Sequence, residues 1–250
     1  MTIPAVLITG AAKRLGAAIA RAFGDAGWHV VIHHGNSRAE AEALEKNLPS
    51  AETIACDLAD QDAALQMIDE LAANLHDWRV LVNCAAIFPY DDAAGLDPTA
   101  FETSMRINAG TPTRLAQRFL AMAQAEGGRR VINLTDQKIA NPNPDFFSYS
   151  MSKHAVAAAT RMLAMAQDNP ADRVYALAPG AILPSHDQLE VEIEQSHRMN
   201  LLGRMTGANE IAAAAVFLSQ GWLASGETIF VDSGQHLLAQ PRDVLFLARQ

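Results

Sequence analysis

Apolar residues fall in short unbroken runs separated by longer stretches of helical spacing. Seven runs are rich in β-branched and aliphatic residues and are predicted as strands: Ala5 to Thr9, His29 to His33, Thr53 to Cys56, Val80 to Asn83, Val131 to Leu134, Arg173 to Leu177 and Thr228 to Val231. Runs such as AVLIT and VLVN lack the polar alternation of a half-exposed strand, so both of their faces must be covered. Between them, Leu15, Ile19 and Phe23 share one helical face, and Leu65, Ile68, Leu71 and Leu75 recur at three- and four-residue spacing. Helical patterns also span Pro98 to Ala125 and Ser148 to Gln167. Strands alternating with helices predict an α/β fold whose seven-stranded parallel sheet is doubly wound, with helices on both faces. Two segments break the alternation: Ile139 to Phe147, rich in Asn and Pro, and Ile182 to Arg204, after a Pro-Gly. Irregular chain beyond strand ends is where such folds place substrate loops, so both segments are expected to meet the substrate.

At 250 residues, with no internal repeat or linker, the chain is expected to form a single domain over 1–250. Half of the residues are apolar and 19% are charged, which excludes disordered and low-complexity classes. The net charge of −9, without a basic block, makes nucleic acid an unexpected partner. No apolar run approaches the roughly 20 residues of a membrane span, and no cationic leader precedes the first strand, so a cytoplasmic protein is expected. Cys56 and Cys84 each end an apolar run and read as reduced buried thiols.

The first strand runs into Thr9-Gly10-Ala11-Ala12-Lys13-Arg14-Leu15-Gly16 and then a helix. Gly10 permits a tight turn, Gly16 permits close packing, and the helix N-terminus offers unpaired N–H groups to a pyrophosphate. This strand-turn-helix context predicts a Rossmann-type dinucleotide site, with a purely structural turn as the alternative. NAD-binding proteins place a carboxylate at the end of the second strand, but here the chain reads His33-His34-Gly35-Asn36-Ser37-Arg38, with no acid before Glu40. Lys13, Arg14, Ser37 and Arg38 suit a 2′-phosphate instead, so NADP(H) is expected. The adjacent histidines point to opposite strand faces and have no companion ligands, so no metal is expected.

Tyr149 and Lys153 are spaced to share one helical face. A nearby ammonium favours phenolate and should draw the phenol below its reference value near 10. Taken with the phosphate turn, Asp57, Asn83-Cys84-Ala85-Ala86, Asn108, Pro179-Gly180 and Val231-Asp232-Ser233-Gly234, the sequence resembles the short-chain dehydrogenase/reductase family over nearly its full length. Three positions depart from the usual pattern: Arg14 replaces a glycine, Cys84 an asparagine, and Asp136, thirteen residues before the tyrosine, a serine. Arg14 and Asp136, with TGAAKRLG, the segment His33 to Ser37 and Phe88, resemble the pteridine reductase branch.

The resemblance implies that Phe88 stacks on a pterin opposite the nicotinamide, that Asp136 and Tyr149 supply the proton, and that Lys153 assists. It implies that Asn108 holds a water orienting Lys153. It also implies cofactor contacts from Gly10, Leu15, Gly16, His33, Asn36, Asp57 and Leu58, and from Asn83, Ala85, Pro179, Gly180 and Ile182. For Phe88 the alternative is core packing, and for Asp136 a helix cap. A carboxylate beside Tyr149 should push the phenol upward and keep it protonated, which suits reduction of a C=N bond. The alternatives are an NADPH-dependent reductase of a 3-oxoacyl, sugar or steroid-like ketone using the same residues, and a non-catalytic nucleotide-binding module. Related enzymes are commonly homotetramers. The apolar tail beyond Gln235 is expected to pack on its own or a neighbouring subunit.

Overall fold

In the computed structural model, which describes residues 2–184 and 188–250, the first strand already shows why two helical layers are needed. Along β1 (Ala5–Ile8), Val6 and Ile8 enter one core while Ala5 and Leu7 enter a second on the opposite sheet face. The remaining strands are β2 (His29–His34), β3 (Ala51–Ala55), β4 (Trp78–Asn83), β5 (Arg130–Leu134), β6 (Arg173–Pro179) and β7 (Thr228–Val231). All seven predicted strands are present, in one sheet of order β3-β2-β1-β4-β5-β6-β7 with every neighbouring pair parallel. The connections reverse direction between β1 and β4, so their carboxyl ends flank a crevice, the usual ligand site of such sheets.

On one face α1 (Arg14–Asp25) buries Ile19, Ala20 and Phe23. Next come α2 (Arg38–Glu45) and, on the other face, α3 (Gln61–Asn74), whose N-terminal N–H groups are capped by Asp60. Ile68 and Leu71 of α3 are buried with Ala64 and Met67, while Leu65 and Leu75 are half-buried at its margin. The helix expected over Pro98 to Ala125 is broken into α4 (Pro98–Ser104), a π-helical turn (Met105–Gly110) and α5 (Thr111–Met122). Pro112 has no N–H to close the regular bond onto the Asn108 carbonyl, which accounts for the widened turn there.

Then follow α6 (Phe147–Met165), α7 (Glu190–His197), α8 (Ala208–Ser219) and α9 (Val244–Leu247). The hydrophobic pattern misses α2, α7 and α8. The first two are polar and short, and α8 is apolar nearly all round, so no clean stripe marks them. The segment Ile182 to Arg204 is therefore not wholly irregular, because α7 lies within it; residues 185–187 of it lie outside those described. No described helix is long and apolar enough to cross a membrane. The tail folds back on its own chain, burying Leu245 against Phe146 and Tyr149.

Candidate active site

Where β1 ends, Thr9 Oγ1 accepts the N–H groups of Cys84 and Ala85 at 3.0 and 3.1 Å, joining it to the end of β4. Gly10 takes φ +66°, and its N–H donates to His33 Nδ1 at 3.0 Å. That bond makes Nδ1 the acceptor, so Nε2 carries the proton and donates to the Cys56 carbonyl at 3.1 Å. Burial pushes the His33 pKa down to about 4 and keeps the ring neutral. Gly16 packs so closely that a Cβ there would overlap the Gly10 carbonyl oxygen. Arg14, at the position where the family usually has glycine, sits at φ +53°, and its guanidinium donates to the Pro184 carbonyl at 2.9 Å.

A cavity of about 810 Å³ opens beyond the strand ends, with Gly10 and Gly16 at one end and Asp136, Tyr149 and Lys153 in its wall. The last two share a face of α6, which is fixed from outside: the buried Asp91 carboxylate accepts both the N–H and the hydroxyl of Ser148. Tyr149 donates its hydroxyl hydrogen to Asp136 Oδ2 at 2.9 Å. Lys153 Nζ donates to the Leu134 carbonyl at 2.7 Å and stands 5.5 Å from the Tyr149 ring centroid.

Desolvation, followed by the Asp136 charge, raises the Tyr149 phenol well above its ordinary value. Desolvation also raises Asp136, although Lys138 and the Tyr149 hydrogen bond oppose it, and it lowers Lys153. Of the two opposing influences expected on the phenol, the upward push of Asp136 prevails over the pull of Lys153. Burial and the adjoining carboxylate outweigh the ammonium, whose proton is turned to the Leu134 carbonyl. The result is a phenol held as an acid beside a carboxyl held toward its protonated form.

Asn108 Nδ2 donates to the Ile87 carbonyl and to Ser152 Oγ, and its Oδ1 accepts the Ile87 N–H. The side chain thus clamps the chain after β4 to α6. Phe88 lines the cavity half-buried, stacked on Phe146 at 4.0 Å and edge-on to Tyr149 at 4.5 Å.

The structure gathers Gly10, Lys13, Arg14, Leu15, Gly16, Ala85, Phe88, Asp136, Tyr149, Lys153, Pro179, Gly180 and Ile182 around this cavity. His33, Asn36, Ser37, Arg38, Asp57, Leu58, Asn83 and Asn108 do not line it. His33 braces the turn from beneath, and Asn83 donates to Pro112 and Asn133 inside the sheet. Leu58 is buried with its carbonyl bonded to Thr111, and Asp57 accepts the Ala59 N–H. Asn36, Ser37 and Arg38 follow β2 at the sheet's carboxyl edge, where Arg38 pairs with Glu42 at 2.7 Å and Lys13 with Glu40 at 2.6 Å.

Sequence reasoning missed Lys138, Asp243, Val244 and Leu245, which line the cavity, whereas His197, also in its wall, falls within the segment Ile182 to Arg204 expected to meet the substrate. No local motif marks them. The apolar tail was the available signal, and it pointed to packing rather than to a site.

Residues 10–236 match the family model described as enoyl-(acyl carrier protein) reductase. The structure of FolM alternative dihydrofolate reductase 1 from Brucella canis, complexed with NADP, is 31% identical, covers 96% of each chain and superposes with a TM-score of 0.88. That of the angucycline C-6 ketoreductase LanV with bound NADP is 26% identical, over 94% of this chain and 96% of that one, with a TM-score of 0.83. The L-fucose dehydrogenase of Oryctolagus cuniculus is 30% identical over 95% of this chain and 87% of its own length. With the strand order, the glycine turn and the tyrosine-lysine pair in place, this match over most of its length means that the chain belongs to the short-chain dehydrogenase/reductase family.

Proposed function

We propose that the chain is an NADPH-dependent oxidoreductase that reduces a C=N bond of a pterin or dihydropterin. The observation that carries the reading is the Tyr149–Asp136 hydrogen bond in a cavity wall beside Phe88. Both groups are biased toward their protonated forms, as an acid serving a ring nitrogen must be. The similarity to FolM alternative dihydrofolate reductase supports the same substrate class.

The glycine turn fits a dinucleotide phosphate. A Cβ on Gly10 would meet the Ala85 backbone at 3.0 Å, so the chain at this point offers backbone rather than side chains, and the N-terminal end of α1 opens here. Lys13, Arg14, Ser37 and Arg38 would hold the 2′-phosphate, and Glu40, the first nearby acid, is already countered by Lys13. When bound, the reduced nicotinamide supplies the hydride. Tyr149 passes its proton to the substrate nitrogen, and Asp136 restores it. Phe88 offers an aromatic surface to a flat ring, and Lys153 spans from α6 to the end of β5.

We further read the chain as a single cytoplasmic domain acting on a small molecule and assembling as a homotetramer. Exposed Met162, Met165 and Trp222 support assembly, since large apolar side chains left in water favour association. Light scattering that finds a monomer rejects this part.

A carbonyl reductase is the second reading, favoured by the likeness to L-fucose dehydrogenase and the C-6 ketoreductase. NADPH oxidation with dihydrobiopterin, dihydrofolate and a set of ketones separates the two. The pterin reading requires kcat/KM for a dihydropterin to exceed that for any ketone, and the reverse order rejects it.

A further inference from the structure

Lys138 is buried to 3% exposure two residues beyond Asp136, and it meets a carboxylate from the far end of the chain: Nζ lies 2.6 Å from Asp243 Oδ2. The same ammonium donates to the Asp145 carbonyl at 3.3 Å and sits 5.0 Å over the Phe146 ring. Its backbone N–H donates to Asp136 Oδ1 at 2.9 Å, so one residue ties the tail to the turn that carries Asp136.

A second latch lies alongside. Arg242 Nε reaches both oxygens of Asp145, at 2.9 and 2.7 Å, and the Asp243 N–H donates to Asp145 Oδ2 at 2.7 Å. Asp243 Oδ1 caps α9 through the Leu245 N–H, which delivers Val244 and Leu245 to the cavity. Farther along, Arg249 pairs with Glu192 of α7 at 3.2 Å.

We propose that the segment Pro241 to Gln250 is part of this chain's own active site. It forms the far wall of the substrate chamber and limits it to compact flat substrates, and Asp243 is a positioning residue that acts through Lys138 on the Asp136–Tyr149 pair. The inference rests on reading this cavity as the substrate chamber and not on which compound fills it.

A tail serving only stability would have no reason to place a buried charge pair beside the acid. Without Asp243, Lys138 would be balanced more weakly, by Asp145, and would draw Asp136 toward its ionised form, while Tyr149 would lose a charge that raises it. Among the described residues, Lys153 of α6 and Cys84 after β4 face the acid pair, His197 of α7 lines the same cavity, and Arg242 and Asp145 flank the latch.

The test compares wild type, Asp243→Asn, the double variant Lys138→Met with Asp243→Leu, Arg242→Ala, and a chain ending at Gln240, each saturated with NADPH. Substrates are dihydrobiopterin and a compact and a bulky cyclic ketone. Asp243→Asn should move the alkaline limb of kcat down by about one pH unit, and the double variant should return it toward wild type. The shortened chain should raise kcat/KM for the bulky relative to the compact ketone by about tenfold, the magnitude expected for one lost wall of a pocket.

Arg242→Ala, altered at a partly exposed latch, gives the same direction if the shortened chain does not fold. An unmoved limb together with an unchanged bulky-to-compact ratio overturns the proposal. If dihydrobiopterin is not turned over, the pterin reading fails while the limb and ratio are still read on the ketones. If nothing is turned over, hydrogen exchange across residues 136–147 decides: faster exchange in Asp243→Asn supports the latch, and unchanged exchange overturns it.

Discussion

Tyr149 illustrates how one neighbour decides a residue's chemistry. Beside Lys153 alone the phenol would be drawn toward phenolate, but buried against Asp136 it holds its proton. Tyr149→Phe should lower kcat by about 10²–10⁴-fold, the usual contribution of a positioned acid, with NADPH affinity by fluorescence within twofold of wild type. Because Tyr149 is raised well above its ordinary value, it keeps its proton at neutral pH, and turnover should fall as alkali removes that proton. In Asp136→Asn that limb should move, and a kcat profile identical to wild type would exclude proton supply by the pair. At the start of α2, after β2, Arg38 is exposed and tied only to Glu42 among the described contacts. Arg38→Ala should raise KM for NADPH about tenfold, as loss of a charge-assisted hydrogen bond does, and leave KM for NADH nearly unchanged.

At the scale of elements, the site depends on how strand ends and helix starts are held. His33 ties the turn after β1 to the end of β3, and burial holds its pKa at about 4, below the ordinary 6.5 of a free imidazole. For a depressed pKa the stability is present above pH 6.5 and is lost as pH falls toward 4, amounting to about 3 kcal/mol over that window. Urea unfolding followed from pH 7 to 4 should show this slope, reduced in His33→Gln. Helix α6 begins after Phe146 at φ +51° and is capped by Asp91 from another loop. Asp91→Ala leaves buried donors on Ser148 unpaired and should cost about 1–3 kcal/mol in thermal unfolding. The same change should weaken kcat more than NADPH binding, since Tyr149 is the next residue.

Across the whole molecule, parallel pairing brings every strand's carboxyl end to one edge of the sheet, and the reversal between β1 and β4 opens the crevice there. The double-sided core keeps that edge in shape. Leu81 is fully buried, and Leu81→Ala should cost about 2–5 kcal/mol by leaving a cavity, measured by denaturant unfolding. The strands were legible because burial on both faces leaves unbroken apolar runs, and the glycine turn was legible because its chemistry is local. Less was legible where the pattern is weak or the partner distant. The all-round apolar surface of α8 carries no stripe, and the π-turn at Asn108 depends on one proline within a helical pattern. Arg242 and Asp145 lie 97 positions apart, so no window of sequence contains their ion pair.

The chain by itself determined its seven strands, its phosphate turn and the tyrosine-lysine spacing, because each follows from the periodicity or backbone freedom of neighbouring residues. Tertiary structure alone decided that burial is the main force holding the proton on Tyr149, that His33 and Asn108 brace strand and helix, and that Asp243 meets Lys138 beside the acid. Protonation and pairing are set by desolvation and by charges within a few ångströms, and those distances exist only after distant segments have packed together.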